Sequence, residues 1–476
     1  VARRSNHKPI AAALAGWVHN GHGTLSQRLA YGLRRLIDAG ILEPGAALPP
    51  ERTLAVELAV SRSTVTTALD ILRAEGLLTS KQGRGTFVAG ASTPPTDGEA
   101  AGRMAIHLVE GAGGIDLAIG NPADVSHLPP VSLDVGDILA SGAGNGFQPL
   151  GLPMLRQAIA ERHTAAGLHT VPDEIHVTAG AHQAISLAIS VLAGRRQPVA
   201  AESPNYPGFF DIIEGLGNPL APLRTDRGGI VPESLVEALT HHRARVVYVQ
   251  AAAQNPTGIL TPPSRLRALA EVLDEHDAVV VEDATLADLV FSGRPATDLA
   301  HLCRRATVVS VGSFSKVLWG GLRVGWLRAP VPIVDRTLHR RLALDLGAAT
   351  PSQLLVLGLL PRLDEIAAAR RAFLADSVAR AAELLRNEVP EWHVNEPEGG
   401  SALWVDTGLR DTEALVQVAR RHGVHVAPGS MAVDGRTQDP HLRICVDRPW
   451  PLVEVGIRRI GAAWRDLVRD SRRIAG

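Results

Sequence analysis

The sequence predicts an α/β chain in two parts. A small, mostly helical N-terminal module ends in a two-stranded hairpin, and a larger body is built on a mostly parallel sheet with a small α+β subdomain behind it. Three observations carry this. The chain has 476 residues, too many for one core. Helical apolar spacing runs to about Gly90, and a Gly/Ala/Pro/Ser-rich stretch without periodicity, 91–114, then separates it from the rest. From Ile115 onward, short apolar runs alternate with amphipathic stretches, as expected of strands buried on both faces between helices.

In the first part, 1–90, Thr24 can cap a helix with Leu25, Leu29, Leu33, Leu36 and Ile37 on its apolar side, and Gly40 ends it. A Pro/Gly-rich connection, Glu43–Pro50, leads to a short helix carrying Leu54 and Leu58. Ser61 begins another helix, with Val65, Leu69, Ile71 and Leu72 apolar. Leu77–Val88, with Gly83 and Gly85, reads as two short strands around a turn.

In the second part, 115–476, strands are expected at Ile175–Thr178, Val199–Ala201, Val246–Gln250, Val279–Glu282 and Val308–Val311. Helices are expected at Ala181–Leu192, Glu233–His242 and Ser264–His276. Long helices around Ala402–Val405 and His441–Val446 suggest the smaller subdomain, so the body divides at about residue 350.

Composition excludes several classes. Hydrophobic residues are 45% and charged residues 20%, ordinary for a globular protein, and no apolar run has the length of a membrane span. Ile10–Val18 after Arg3 and Arg4 is short and lacks a clear cleavage site, so it is not read as a secretion signal. Cys303 and Cys445 are isolated, which suggests neither a disulfide framework nor a metal site and fits a cytoplasmic location. The net charge of −1 hides an asymmetry: up to Gly90 there are eleven basic and six acidic residues. A basic module on an acidic body points to a polyanionic partner.

That module has the chemistry for DNA. Two short helices around a tight turn and a Gly-bearing hairpin describe a winged helix-turn-helix. Ser61, Arg62, Ser63 and Thr64 crowd the start of its second short helix, where free amides favour phosphate and short polar side chains can reach bases or backbone. Arg52 can touch phosphate, and Lys81, Gln82, Gly83 and Arg84 form the tip of the wing. Each arginine taken alone reads as a solvated surface residue, whereas the ordered constellation reads as a DNA-binding face.

The lysines single out the body's chemistry. Lys8, Lys81 and Lys316 are the only lysines among 48 basic residues. A bias toward arginine explains the rarity. Under such a bias a retained lysine suits a task that needs a primary amine, such as forming an imine. Lys316, in S-V-G-S-F-S-K-V-L-W-G-G-L-R, follows an apolar strand. If its partner is pyridoxal phosphate, other groups must be present. Thr178-Ala179-Gly180-Ala181-His182 is a strand–helix turn able to hold phosphate, with Ser313, Ser315 and Arg323 nearby in sequence. Asp283 ends a buried run and can pair with a pyridine nitrogen, although an Asp there can equally cap a helix. Asn255 can donate to a phenolic oxygen, and Tyr206 can stack on a ring.

Leu25–Val88, through L-P-P-E-R-T-L-A-V-E-L-A-V-S-R-S-T-V-T-T-A-L-D-I-L-R-A-E-G-L-L, closely resembles the DNA-binding domain of the GntR family. That likeness implies DNA contacts from Arg52, Arg62, Thr66 and the wing, and at Thr66 many relatives carry Arg. From Ile115 to Trp464 the motifs E-S-P-N-Y-P-G, Q-N-P-T-G, V-V-V-E-D and S-F-S-K resemble class I aminotransferases of pyridoxal-phosphate fold type I. The resemblance implies that Lys316 is the Schiff-base lysine, Asp283 the pyridine partner, Asn255 the phenolic-oxygen partner and Tyr206 the stacking ring. It also implies a phosphate site of Ala181, His182, Ser313, Ser315 and Arg323. Arg443 matches the arginine for an amino-acid carboxylate, and Gly120 and Asn121 match the segment beside it.

Two positions depart from the family. Thr285 and Phe147 stand where relatives usually have tyrosines, and each change removes a hydrogen bond of about 0.5–1.5 kcal/mol. Together the two likenesses resemble the MocR/GabR regulators. Membership implies a head-to-tail homodimer on double-stranded DNA, with pyridoxal 5′-phosphate or its adduct with an amino acid or amine as effector. A working aminotransferase with a DNA-binding head is the alternative.

Overall fold

The computed structural model describes residues 14, 17–19, 24–38, 42, 46–74, 78–81, 85–88, 102–104, 114–295, 297–436 and 438–475. The chain forms two compact units, Val1–Ala101 and Gly102–Gly476.

In the first unit, α1 (Leu25–Asp38), α2 (Glu51–Glu57) and α3 (Arg62–Ala74) precede an antiparallel hairpin of β1 (Leu78–Lys81) and β2 (Gly85–Val88). Thr24 and Gln27 bond reciprocally at the start of α1: the Gln27 N–H donates to Thr24 Oγ1 at 3.4 Å, and the Thr24 N–H donates to Gln27 Oε1 at 2.8 Å. The helices enclose one core of Leu29, Leu33, Leu54, Val65, Leu69 and Leu72. Each of those leucines is fully buried, and truncating one to Ala costs about 2–5 kcal/mol. Thr86 and Ala46 accept backbone bonds that tie the segment before α2 to the wing.

The second unit is centred on a seven-stranded sheet. Its strands in chain order are β4 (Ile175–Thr178), β5 (Val199–Glu202), β6 (Leu220–Leu223), β7 (Val246–Val249), β8 (Val279–Asp283), β9 (Thr307–Ser313) and β10 (Gly325–Arg328), and β3 (Ile115–Asp116) precedes them outside this sheet. The spatial order is β4-β10-β9-β8-β7-β5-β6, with β10 antiparallel to both neighbours and the rest parallel. Helices cover both faces. Among them, α4 (Ala181–Leu192) and α5 (Pro207–Leu216) pack Ile185, Ile189, Phe209 and Phe210 onto one face. Leu266, Leu269 and Leu273 cover the other. The five expected strands and three expected helices lie where their apolar runs placed them, within two residues at each end. β6 and β10 were not among the expected strands: Leu220–Leu223 is interrupted by Pro222, and Gly325–Arg328 ends in charge.

Behind this sheet, α6 (Leu363–Glu388) leads into a four-stranded sheet. Its strands are β11 (His393–Val394), β12 (Ala402–Asp406), β14 (Ala427–Pro428) and β15 (His441–Cys445), in the order β11-β12-β15-β14. The short β13 (Val424–His425) instead pairs in parallel with β3, and α7 (Trp450–Ala475) closes the chain. The apolar cluster around β4 extends along α6 to Leu374, and the small subdomain's cluster begins at Val378. The core packing therefore changes hands inside α6, beyond the boundary near residue 350 expected from the sequence. Gly102–Met104, within the stretch expected to be linker, belongs to this second unit. Among the described residues, no helix is long and apolar enough to cross a membrane.

Candidate functional site

The parallel strands β5, β7 and β8 deliver Glu202, Gln250 and Asp283 to one edge of the sheet, the position where open α/β sheets bind ligands. A cavity of about 770 Å³ opens there. Gly120, Asn121, Ala181, His182, Tyr206, Asn255, Asp283, Ser313, Ser315, Lys316, Arg323 and Arg443 all line it. Every cofactor- and effector-site residue expected from the sequence thus meets in a single cavity, although the sequence positions span more than 300 residues.

Lys316 lies just beyond β9. Its Nζ donates to the Gly120 carbonyl at 2.8 Å and to Asn121 Oδ1 at 2.7 Å. Burial, and then the Arg443 charge, lower its pKa from 10.5 to about 8. Near neutrality an appreciable share of the amine is therefore unprotonated, the form that attacks a carbonyl.

Asp283 is fixed at both oxygens. Oδ1 accepts the Thr285 N–H at 2.9 Å, and Oδ2 accepts the Tyr248 hydroxyl at 2.7 Å. Gln250 Nε2 donates to the same Tyr248 oxygen at 2.7 Å, and Gln250 Oε1 accepts the Asn255 N–H at 2.8 Å. Gln250 thereby ties the Asn255 loop to the Asp283 strand. Tyr248 is fully buried and stacked on Phe209, with ring centroids 4.3 Å apart. Behind them Glu202 is buried, and burial raises its carboxyl to about 8. Tyr206 and His182 meet edge to face, with the hydroxyl 3.4 Å from Nδ1. Burial pushes Tyr206 up to about 12, and burial followed by the Arg323 charge lowers His182.

At the phosphate side, α4 starts at Ala181 behind Gly180, whose φ is +87° and which offers no side-chain cap. The first amides of α4 are left for a ligand. Arg323 Nη2 donates to Ala179 O at 2.6 Å, and a Cβ on Gly180 would lie 3.2 Å from that nitrogen. Ser313 Oγ and Ser315 Oγ are 3.1 Å apart. Free amides, two hydroxyls and a guanidinium make a donor set that fits a phosphate dianion.

At the opposite side, Arg443 Nη1 donates to Ala118 O at 3.0 Å, whereas its buried Nε has no partner among the described residues. A Cβ on Gly120 would sit 2.5 Å from Ser401 Oγ and 3.1 Å from Arg443 Nη2, so glycine keeps that space open. Thr285 also lines the cavity, and its buried Oγ1 has no hydrogen-bond partner among the described residues. The tyrosine-to-threonine departure shortens this donor without removing the hydroxyl. Phe147 is exposed and is not part of the cavity wall.

Sequence reasoning missed Tyr248, Gln250, Met104, Trp319 and Arg448. Tyr248 sits in the run V-V-Y-V, where a tyrosine reads as core. Its polar signal was that a buried hydroxyl requires a partner.

In the first unit, Arg52, Ser61, Arg62 and Ser63 are exposed, and Thr64 and Thr66 are half-buried. Ser61 caps α3, its Oγ accepting the Thr64 N–H at 3.1 Å and lying 2.9 Å from Ser63 Oγ. Thr66 Oγ1 bonds Glu51 Oε2 at 3.0 Å, and Glu51 also pairs with Arg62 and Arg73, each at 3.6 Å. Glu51 thus orients the start of α3. Lys81 lies in β1, and Gln82, Gly83 and Arg84 lie outside the described residues.

A winged helix-turn-helix unit and an aminotransferase-type body with an amine, a fixed carboxylate and an anion cradle define a DNA-binding protein with a pyridoxal-phosphate fold. The comparisons agree. Residues 25–88 match the bacterial regulatory proteins of the gntR family, and residues 112–460 match aminotransferase class I and II. The HTH-type transcriptional regulator TauR of Rhodobacter capsulatus is 30% identical over 94% of this chain and 97% of its own. The probable rhizopine catabolism regulatory protein MocR of Rhizobium meliloti is 29% identical over 83% of this chain and 84% of its own. Among solved structures, LysN, the α-aminoadipate aminotransferase of Thermus thermophilus, superposes with a TM-score of 0.68 at 27% identity, over 75% of this chain and 94% of its own. The chain belongs to the GntR-family transcriptional regulators of the MocR/GabR type, whose body is an aminotransferase class I and II domain. Its cofactor is pyridoxal 5′-phosphate.

Proposed function

We propose that the body holds pyridoxal phosphate covalently at Lys316 and reads an amino compound that enters beside it, changing how a head-to-tail homodimer engages its operator. The carrying observation is the convergence in one cavity of a partly deprotonated Lys316, a doubly fixed Asp283 and an Arg443 with an unpartnered Nε. When bound, the cofactor supplies a carbonyl for amines and an electron-withdrawing ring. Lys316 would anchor it through the amine that now bonds Gly120 and Asn121. Asp283, held by Tyr248 and the Thr285 amide, would pair with the ring nitrogen. Asn255 would donate to the phenolic oxygen and Tyr206 would stack on the ring. Ala181, His182, Ser313, Ser315 and Arg323 would hold the phosphate. Arg443 would receive the carboxylate of the amino compound, with Gly120 and Asn121 beside it.

Arg52, Ser61, Arg62, Ser63, Thr64, Thr66 and the wing residues Lys81, Gln82, Gly83 and Arg84 form the DNA face. Two copies are supported by apolar side chains exposed on the single chain: Val135 at 71%, Leu139 at 78%, Phe147 at 59% and Leu344 at 58%. A DNA-bound role supports a cytoplasmic location. Ligand binding acts as a population shift, so the effector must bind one arrangement of the dimer better than the other. Footprints on operator DNA, with and without cofactor and amino compound, test this, and protection that never changes would refute it. The enzymatic alternative retains one observation in its favour, since Lys316 and Asp283 share the cavity. Sustained multiple-turnover transamination would establish it.

A further inference from the structure

One residue of the cavity wall comes from the stretch ahead of Ile115. Met104 lies in the stretch read from the sequence as linker, yet it lines the cavity. Its neighbour Arg103 is fully buried, with Nη1 2.7 Å from Glu214 Oε1 and 3.6 Å from Asp211 Oδ1. The guanidinium carbon lies 4.8 Å from the Phe210 ring centroid. The backbone N–H groups of Arg103 and Met104 donate to the two oxygens of Asp211 at 2.8 and 2.9 Å. These partners all sit on α5, the helix that starts directly after Tyr206. Burying an arginine costs several kcal/mol unless it is paired and bonded, so a connection that only spans distance has no use for this arrangement. The clamp fixes Met104 at the cavity.

The cations of the cavity wall have different commitments. Arg323 is at the phosphate cradle, bonded to Ala179 O. Arg448 is neutralised by Asp116 at 3.0 Å and also donates to Asn121 O and Asp447 O. Lys316 is the anchor, and at His182 burial and then the Arg323 charge disfavour the protonated ring. Arg443 is left for one ligand carboxylate. Met104, Ile119, Leu286 and Trp319 add apolar surface to the wall. A second carboxylate on the ligand would be desolvated without a cation of its own among the described residues of this chain.

We propose that Met104 is a specificity-determining ligand contact, that Arg103 is its positioning residue, and that the cavity selects α-amino acids with uncharged, apolar side chains. This rests on the reading that an amino compound enters the cofactor-loaded body. The test titrates full-length, cofactor-loaded protein with L-leucine, L-glutamate and 4-aminobutyrate, following the cofactor's visible absorbance and the heat of binding. L-Leucine is expected to bind at least about tenfold more tightly than the other two. Met104→Ala is expected to lower the leucine-to-glutamate affinity ratio, and Met104→Arg to lower it further. Arg103→Ala is expected to lower the ratio as Met104→Ala does, and the double variant to lower it no more than either, since both act through one contact. A merely structural role for Arg103 would weaken both amino acids alike and leave the ratio unmoved. Asp211→Asn gives the same comparison if Arg103→Ala does not fold. Glutamate or 4-aminobutyrate binding as tightly as leucine, or a ratio insensitive to Met104, overturns the proposal and leaves the amino-compound reading standing. No response to any of the three overturns that reading and the proposal with it.

Discussion

Replacing Arg443 by Gln is expected to raise the pH at which Lys316 becomes reactive toward the cofactor's carbonyl. Burial lowers this amine most and the Arg443 charge next, from 10.5 to about 8. At pH 7 a lysine at the ordinary value is unprotonated about once in three thousand molecules, whereas one at about 8 is unprotonated about once in ten. The site therefore gains roughly 300-fold in reactive amine. Cofactor-free protein would be mixed with pyridoxal phosphate between about pH 6 and 11 and quenched with borohydride, and attachment at Lys316 would be counted by mass spectrometry. Nα-acetyl-lysine under the same conditions corrects for ionisation of the cofactor itself. The wild-type rate is expected to level off near pH 8. In Arg443→Gln the midpoint is expected to move up while staying below 10.5, because burial remains. A wild-type midpoint near 10.5, or a variant midpoint that stays put or falls, would mean that burial and Arg443 do not set the basicity of this amine. The same shift has a stability consequence. Between about pH 8 and 10.5 the unfolded chain holds more of this proton than the folded one, so stability of the cofactor-free protein rises with pH there. Lys316→Met should remove that slope in urea titrations.

Three further outcomes follow from the geometry. Tyr248→Phe removes a 2.7 Å bond to a carboxylate, worth about 1.5–3 kcal/mol, and Gln250, whose Nε2 is 3.4 Å from the same oxygen, recovers part. Cofactor affinity is expected to fall about tenfold by absorbance titration, and an unchanged affinity would remove Tyr248 from the site. Arg370→Ala strands Asp447, its partner at 2.5 Å in a buried pair, and is expected to cost about 3–5 kcal/mol in chemical denaturation. A loss below about 1 kcal/mol would show the pair to be solvated. Arg52→Ala and Arg62→Ala should each flatten the salt dependence of operator binding by about 0.9 in log–log slope, as one lost phosphate contact does. A slope equal to wild type in both would move the DNA face elsewhere.

Much of the site was legible in the sequence because its residues are chemically unusual where they stand. Lys316 stands out in a chain that otherwise spends arginine on positive charge. Asp283 ends an apolar run that can only be a buried strand. Gly180 marks a strand–helix turn. The helices of the first unit were legible for the same local reason, since Leu29, Leu33, Leu69 and Leu72 repeat at helical spacing. What escaped depends on contacts distant in sequence. Tyr248 and Asp283 are 35 residues apart, and only the parallel pairing of β7 with β8 brings them together. Arg103 reaches Glu214 across 111 residues, and nothing local distinguishes it from a solvated linker arginine. Antiparallel β10 and Pro-bearing β6 are defined by their neighbours in the sheet, which pattern reading along one chain does not see.

In the proposed function, Lys316 couples cofactor chemistry to DNA binding. Fluorescence-anisotropy titrations of a labelled operator fragment, with wild-type and Lys316→Ala protein across a series of pyridoxal-phosphate concentrations, test it most directly. The wild-type isotherm is expected to shift with cofactor and saturate as the site fills, while the Lys316→Ala isotherm loses that response and still binds DNA. Superimposable wild-type isotherms at every cofactor concentration, with the cofactor demonstrably attached at Lys316, would mean that DNA binding does not respond to the cofactor.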